Sequence, residues 1–233
     1  MNDGDVVVIG GTAGLGLGVA RHYAEAGRRV VVTGRDPERS AKTAAELGDR
    51  VLGLGFDLAE PESIAAALAG VGRVDRLVLA GMLRDQNLVR DYDIAGALEL
   101  VTQKLVGYTE VVHTLADRLH DDSSILIFGG LAKERPYPGS ATVTTVNHGV
   151  DGLVRAMSFE LKPIRVNALH PGIIGDSPFW SGKTEALEAV KARAATGRWG
   201  TMADIVDAAV FLLENRSVAG TELRVDGGWS LPW

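Results

Sequence analysis

Residues 5–16 read DVVVIGGTAGLG: an aspartate, four β-branched apolar residues, glycines at Gly10, Gly14 and Gly16, and a helical pattern that opens at about Ala13. A strand that runs through a glycine-rich turn into a helix is the first half of a βαβ unit. Gly10 permits the tight turn, Gly14 lets backbone come close to a pyrophosphate, and Gly16 lets helix and strand pack closely. Thr12 and Leu15 complete the turn. The helix start adds unpaired amides and a positive dipole end, so the expectation is a phosphate cradle.

The same alternation continues outward from this unit. Strands are predicted at DVVVI (5–9), RVVVT (29–33), RVLGL (50–54), DRLVLA (75–80), SILIF (124–128), IRVNAL (164–169) and TELRV (221–225). Helical periodicity lies between them at 14–26, 37–47, 62–69, 93–119, 140–161, 184–195 and 202–214. Such alternation specifies an α/β fold, a doubly wound seven-stranded parallel sheet with helices on both faces. The run PGIIGDSPFWSGKT (171–184) mixes glycine, proline and serine with Phe179 and Trp180 after the sixth strand. At the carboxyl edge of the sheet it is expected to be a lid, reaching over about 173–200 within one domain spanning 1–233.

Composition narrows the function. With 233 residues, 46% of them hydrophobic, the chain is long enough for one large core. It has no cysteine, which excludes disulfides, thiolate metal sites and a cysteine nucleophile and suits a reducing cytoplasm. Histidine spacing suggests no metal-ligand set. The net charge of −6, with both signs scattered, argues against a nucleic-acid surface. No segment approaches the roughly 18 apolar residues of a membrane span, so no membrane partner is expected.

The second strand selects the dinucleotide. After VVVT comes Gly34, small and uncharged, so Arg35 is the first side chain able to meet a ribose 2′-phosphate; Asp36 is expected to start the next helix as its N-cap. NADP is thereby favoured over NAD.

With these motifs in hand the sequence resembles the short-chain dehydrogenase/reductase family over nearly its whole length. The resemblance is carried by the GxxxGxG turn, the Asp57-Leu58 pair after strand three, ELKPIRVNALHPG, RWGTMADI and VDGG. It implies a single Rossmann domain, NADP(H) as cofactor, a small-molecule substrate and a homotetramer or homodimer built from the long helices. It places Asp57 and Leu58 by the adenine, Pro171 and Gly172 at the nicotinamide end, and Ser177 near the carboxamide, with Asp176 as a competitor.

The family's catalytic set is missing. Its serine, tyrosine and lysine fall on Gly130, Val143 and Asn147, and its helix-four asparagine falls on Lys104; the strand-four motif is reduced to LAGM (79–82). Valine and glycine cannot exchange a proton or position a carbonyl, and Asn147 can bond a ribose hydroxyl without supplying charge. Lys104 either reaches the ribose or substrate oxygen in place of the lost lysine, or is a surface lysine paired with Glu99 or Asp93. His170 at the strand end and Tyr137 in ERPYPG are further proton-donor candidates, each with a plain packing role as the alternative. Val143, Val146, Val150, Leu153 and Met157 form an apolar stripe, so a less polar pocket and an apolar substrate are expected. Three classes of function remain open: an NADP(H)-dependent oxidoreductase with a non-standard proton relay, a non-redox enzyme on the same fold (cyclase, dehydratase or isomerase), or an inactive cofactor-binding or regulatory subunit.

Overall fold

A computed structural model describes residues 4–83 and 85–232. The described residues form seven strands: β1 (Asp5–Ile9), β2 (Val30–Gly34), β3 (Val51–Gly55), β4 (Val74–Leu79), β5 (Ser124–Phe128), β6 (Arg165–Pro171) and β7 (Glu222–Val225). They make one all-parallel sheet in the order β3-β2-β1-β4-β5-β6-β7. Strand order reverses between β1 and β4, which is where such sheets open a crevice for ligands. Alternate residues of each inner strand feed different cores. Val7, Ile9, Leu77, Leu79, Ile125 and Ile127 belong to one, and Val6, Val8, Val78 and Leu126 to the other.

The helices are α1 (Gly14–Glu25), α2 (Pro37–Leu47), α3 (Ile64–Ala67), α4 (Ile94–Val101), α5 (Tyr108–Leu115), α6 (Ala141–Glu160), α7 (Thr184–Arg193) and α8 (Met202–Glu214). Two expectations change. The helix expected at 62–69 is a short 3-10 turn, Pro61–Ser63, followed by the single turn of α3. The stretch expected as one helix over 93–119 is α4 and α5 joined by a π-helical segment, Thr102–Gly107, with a 3-10 turn, Ala116–Arg118, at its end. Gly107 is needed at that junction, because a Cβ there would collide with the backbone carbonyl of Leu58. Among the described residues no helix is long and apolar enough to cross a membrane.

Gly10 and Gly16 act as their spacing suggests. Gly10 has φ +78°, and a Cβ on it would lie 2.6 Å from Gly81. A Cβ on Gly16 would run into the Gly10 carbonyl, so the two glycines let α1 rest directly on the strand end.

The far half of the sheet is tied together by a buried polar quartet. Lys133, in a 3-10 turn (Leu131–Lys133) after β5, donates to Asp151 of α6 at 2.6 Å and to Glu222 of β7 at 3.3 Å. His170 of β6 places Nε2 3.3 Å from the Lys133 ammonium and 3.1 Å from Asp151 Oδ1, while its Nδ1 accepts from the Gly130 amide at 3.1 Å. An imidazole that accepts at Nδ1 carries its proton on Nε2 when neutral. Burial, helped by the Lys133 charge, pushes His170 down to about 4, so it is neutral at physiological pH. Asp151, His170 and Glu222 bring ligand atoms within 4.8 Å of one another, and the cation among them is the Lys133 ammonium.

Removing that cation would leave two carboxylates without their buried partner. Lys133→Met is expected to lower the unfolding free energy in urea by about 3 kcal/mol. A loss below about 1 kcal/mol would show that the quartet is not a structural tie.

Candidate active site

A cleft of about 860 Å³ opens at the carboxyl ends of β1, β2, β4, β5 and β6, which is the size range of cofactor sites. Gly10 and residues Thr12 to Gly16 form one wall. The N-cap of α1, Ala13, is extended and supplies no side-chain hydrogen bond, so the first amides of α1 are left for an anion. Space around Gly14 is open where a Cβ would stand, and its φ of +54° favours glycine in any case.

At one end of the cleft stand Arg35, Asp36 and Arg39. Asp36 caps α2, accepting from the amides of Glu38 at 2.9 Å and Arg39 at 3.2 Å. Neither guanidinium has a carboxylate partner among the described residues. Arg39 is the residue a reading of the strand tip overlooks; it stands in the first turn of α2, four residues after Arg35, and a second arginine so near the strand tip was the available signal. Phe56 and Leu58 line the adjacent wall, whereas the Asp57 carboxylate turns back to accept from the Ala59 amide at 2.9 Å.

At the other end the wall consists of Ala80 to Met82, Gln103, Lys104, Phe128 to Gly130, Pro171, Gly172, Ile174 and Ser177 to Trp180. Lys104 is 3% exposed and lies within the π-helical segment, a geometry frequent at functional sites. Its ammonium donates to the Phe128 carbonyl at 2.6 Å and lies 3.5 Å from the Tyr108 hydroxyl, which itself donates to the Gly81 carbonyl at 2.5 Å. Among the described residues no carboxylate lies within ion-pair distance of it, so the expected surface pairing with Glu99 or Asp93 does not form. Burial pushes the lysine down to about 8.

The other candidates separate. Asn147 is buried behind Gly130, where a Cβ would come 3.0 Å from the Asn147 Nδ2, and it does not reach the cleft wall. His170 is fully buried in the quartet and stays off the wall: it shares the sheet face of Ala168, the face that α6 covers, and so meets Asp151 instead of the cleft. Tyr137 is 51% exposed and also off the wall; its backbone is held by Ser140. Ser177 does line the cleft, its hydroxyl donating to the Ile174 carbonyl at 2.7 Å. Asp176 accepts from the Met202 amide at 2.8 Å, which anchors this loop to the start of α8. Phe179 and Trp180 pack edge-on with centroids 5.3 Å apart, and the Lys183 ammonium lies 3.3 Å from the Phe179 centroid and 5.1 Å from that of Trp180.

Comparison with known proteins agrees with this geometry. A family described as Enoyl-(Acyl carrier protein) reductase matches residues 10–230. The 3-oxoacyl-[acyl-carrier-protein] reductase of Bos taurus is 32% identical over 234 residues, covering 96% of this chain and 97% of its own. Carbonyl reductase family member 4 of Danio rerio is 30% identical over 233 residues, 97% of either chain. A solved short chain dehydrogenase/reductase family protein superimposes with a TM-score of 0.87 at 28% identity, covering 99% of this chain and 100% of that one. Strand order, glycine turn and relatives agree, and the chain belongs to the short-chain dehydrogenase/reductase family.

Proposed function

We propose that the protein is an NADP(H)-dependent oxidoreductase acting on an apolar carbonyl or alcohol compound, with Lys104 in place of the family's tyrosine as proton donor. The observation that carries this reading is a buried ammonium, free of any carboxylate among the described residues, on the cleft wall beside the ends of β4 and β5. The curated relatives named above are reductases of a 3-oxoacyl group and of carbonyls.

The residues present fit such a cofactor. The amides of α1 and its glycine turn would hold the pyrophosphate, Arg35 and Arg39 the 2′-phosphate, Phe56 and Leu58 the adenine side, and Pro171, Gly172 and Ser177 the nicotinamide end. Bound there, the dinucleotide supplies the hydride, which is its own chemistry. Lys104 gives a proton to the substrate oxygen as negative charge develops on it, and the neutral amine is reprotonated from solvent. Met82, Ile174, Phe179, Trp180 and Met202 offer an apolar wall for the substrate, and the segment carrying Phe179 and Trp180 is read as a lid that excludes water. Ile94, Leu98 and Val106 leave an apolar stripe exposed on α4 and the π-helical segment, which supports a homodimer or homotetramer.

Two measurements check this reading. In NADPH titrations followed by fluorescence, the double variant Arg35→Ala, Arg39→Ala is expected to weaken NADPH by about tenfold or more while leaving NADH nearly unchanged. Equal losses for both cofactors would remove the 2′-phosphate assignment. In assays of carbonyl reduction, Lys104→Met is expected to lose on the order of a hundredfold in kcat. Because the protonated lysine is the donor, wild-type reduction is expected to fall as pH rises through about 8. NADPH binding without turnover across a carbonyl panel would favour the non-redox or regulatory alternatives.

A further inference from the structure

We infer that Tyr108 is a positioning residue for the proton donor: it holds the Lys104 ammonium against the cleft wall by fastening it to the end of β4, while Phe128 fastens it to the end of β5. The inference rests on the reading of Lys104 as proton donor.

The geometry sets this role. Tyr108 follows Lys104 by one helical turn across the junction of the π-helical segment with α5, and the ammonium lies 3.5 Å from its hydroxyl and 5.1 Å from its ring centroid. The hydroxyl has one proton, committed to the Gly81 carbonyl at 2.5 Å, so toward Lys104 it acts as an acceptor. Gly81 and Phe128 both stand on the cleft wall, at the ends of neighbouring strands. Two of the three ammonium protons are thus directed at fixed protein oxygens, and the third is left for a ligand. Tyr108 is fully buried in an otherwise apolar cluster, where phenylalanine would pack as well, so the hydroxyl is present for its polar contacts. Burial pushes the phenol far above its ordinary value, so it does not ionise and is not itself the acid.

Other titratable groups on the surrounding elements are occupied or distant. Glu62, Glu99 and His148 are exposed, Glu110 takes the Thr114 hydroxyl, Asp151 is held by Lys133, and His170 is neutral above about pH 4. No charged group among these therefore reaches Lys104, whose proton affinity is lowered by burial while the Phe128 carbonyl and the Tyr108 hydroxyl are the polar partners of its charged form.

The test is a pH titration of ε-13C-lysine-labelled protein by NMR, with the Lys104 signal identified by its absence in Lys104→Met. Tyr108→Phe keeps the ring and hence the packing, and is expected to lower the Lys104 titration point by about half a pH unit, because an acceptor of the charged form is lost. Tyr108→Leu, which removes the ring as well, is expected to lower it further. NADPH affinity is expected to be unchanged in Tyr108→Phe, while kcat falls and the high-pH limb of the activity profile moves down with the NMR titration. An identical Lys104 titration in wild type and Tyr108→Phe overturns the inference. A shift in Tyr108→Phe, with no carbonyl reduced by the wild type, would sustain the positioning role and refute the proton-donor reading.

Discussion

A lysine ammonium buried with no carboxylate partner among the described residues is a costly arrangement, and one end of the cleft is built around it. Lowering Lys104 from 10.5 to about 8 corresponds to roughly 3 kcal/mol of destabilisation at neutral pH. The sign follows from linkage: between pH 8 and 10.5 the unfolded chain holds a proton on this residue that the folded chain has released, so the penalty is present below pH 8 and is relieved as pH rises through that interval. A fold that merely needed to fill this space would use methionine or leucine. Instead the helix is locally rewound into a π turn, and two backbone carbonyls, those of Phe128 and, through Tyr108, Gly81, are directed to the ammonium. Retained instability of this kind is common where a site needs a group that folding alone would reject.

The second buried lysine shows the contrast. Lys133 is also buried, yet it meets Asp151, Glu222 and the ring of His170, and its charge is neutralised where it stands. It serves as a clasp between β6, β7 and α6. Through His170 it also fixes the Gly130 amide, the backbone position at which the family carries its serine. One lysine is thus paired into the framework and the other stands on the cleft wall without a carboxylate among the described residues, and the difference lies in which of them has carboxylates within reach.

Much of the framework was legible in the sequence because it is local. β1, β5, α2 and α8 match their patterns end for end, since β-branched runs, Asp36 with Pro37, and the Thr201 to Asp204 capping box mark their own boundaries. The register that puts Gly130, Val143, Asn147 and Lys104 on the family's catalytic positions is likewise a matter of counting along the chain. What stayed hidden depends on contacts between distant segments. Gly107, the last residue of the π turn, answers to the backbone of Leu58, and the quartet joins residues from 133 to 222. Of the two uses open to His170, proton donor or structural histidine, the structure shows the structural one, because the face it occupies is decided by the helix lying over it. Tyr108 carries no signal of its own in the sequence, and only the placement of Gly81 behind it gives its hydroxyl a purpose.

The proposed chemistry requires the Lys104 ammonium to stand at the reacting end of the bound cofactor. A crystal structure of the protein with NADP+ bound tests it most directly. The nicotinamide is expected against Pro171 and Gly172, with Lys104 Nζ within about 4 Å of the ribose hydroxyls or of a substrate oxygen beside the ring. A nicotinamide seated elsewhere in the cleft, or a Lys104 side chain turned away from it with its ammonium paired to a carboxylate, would contradict it.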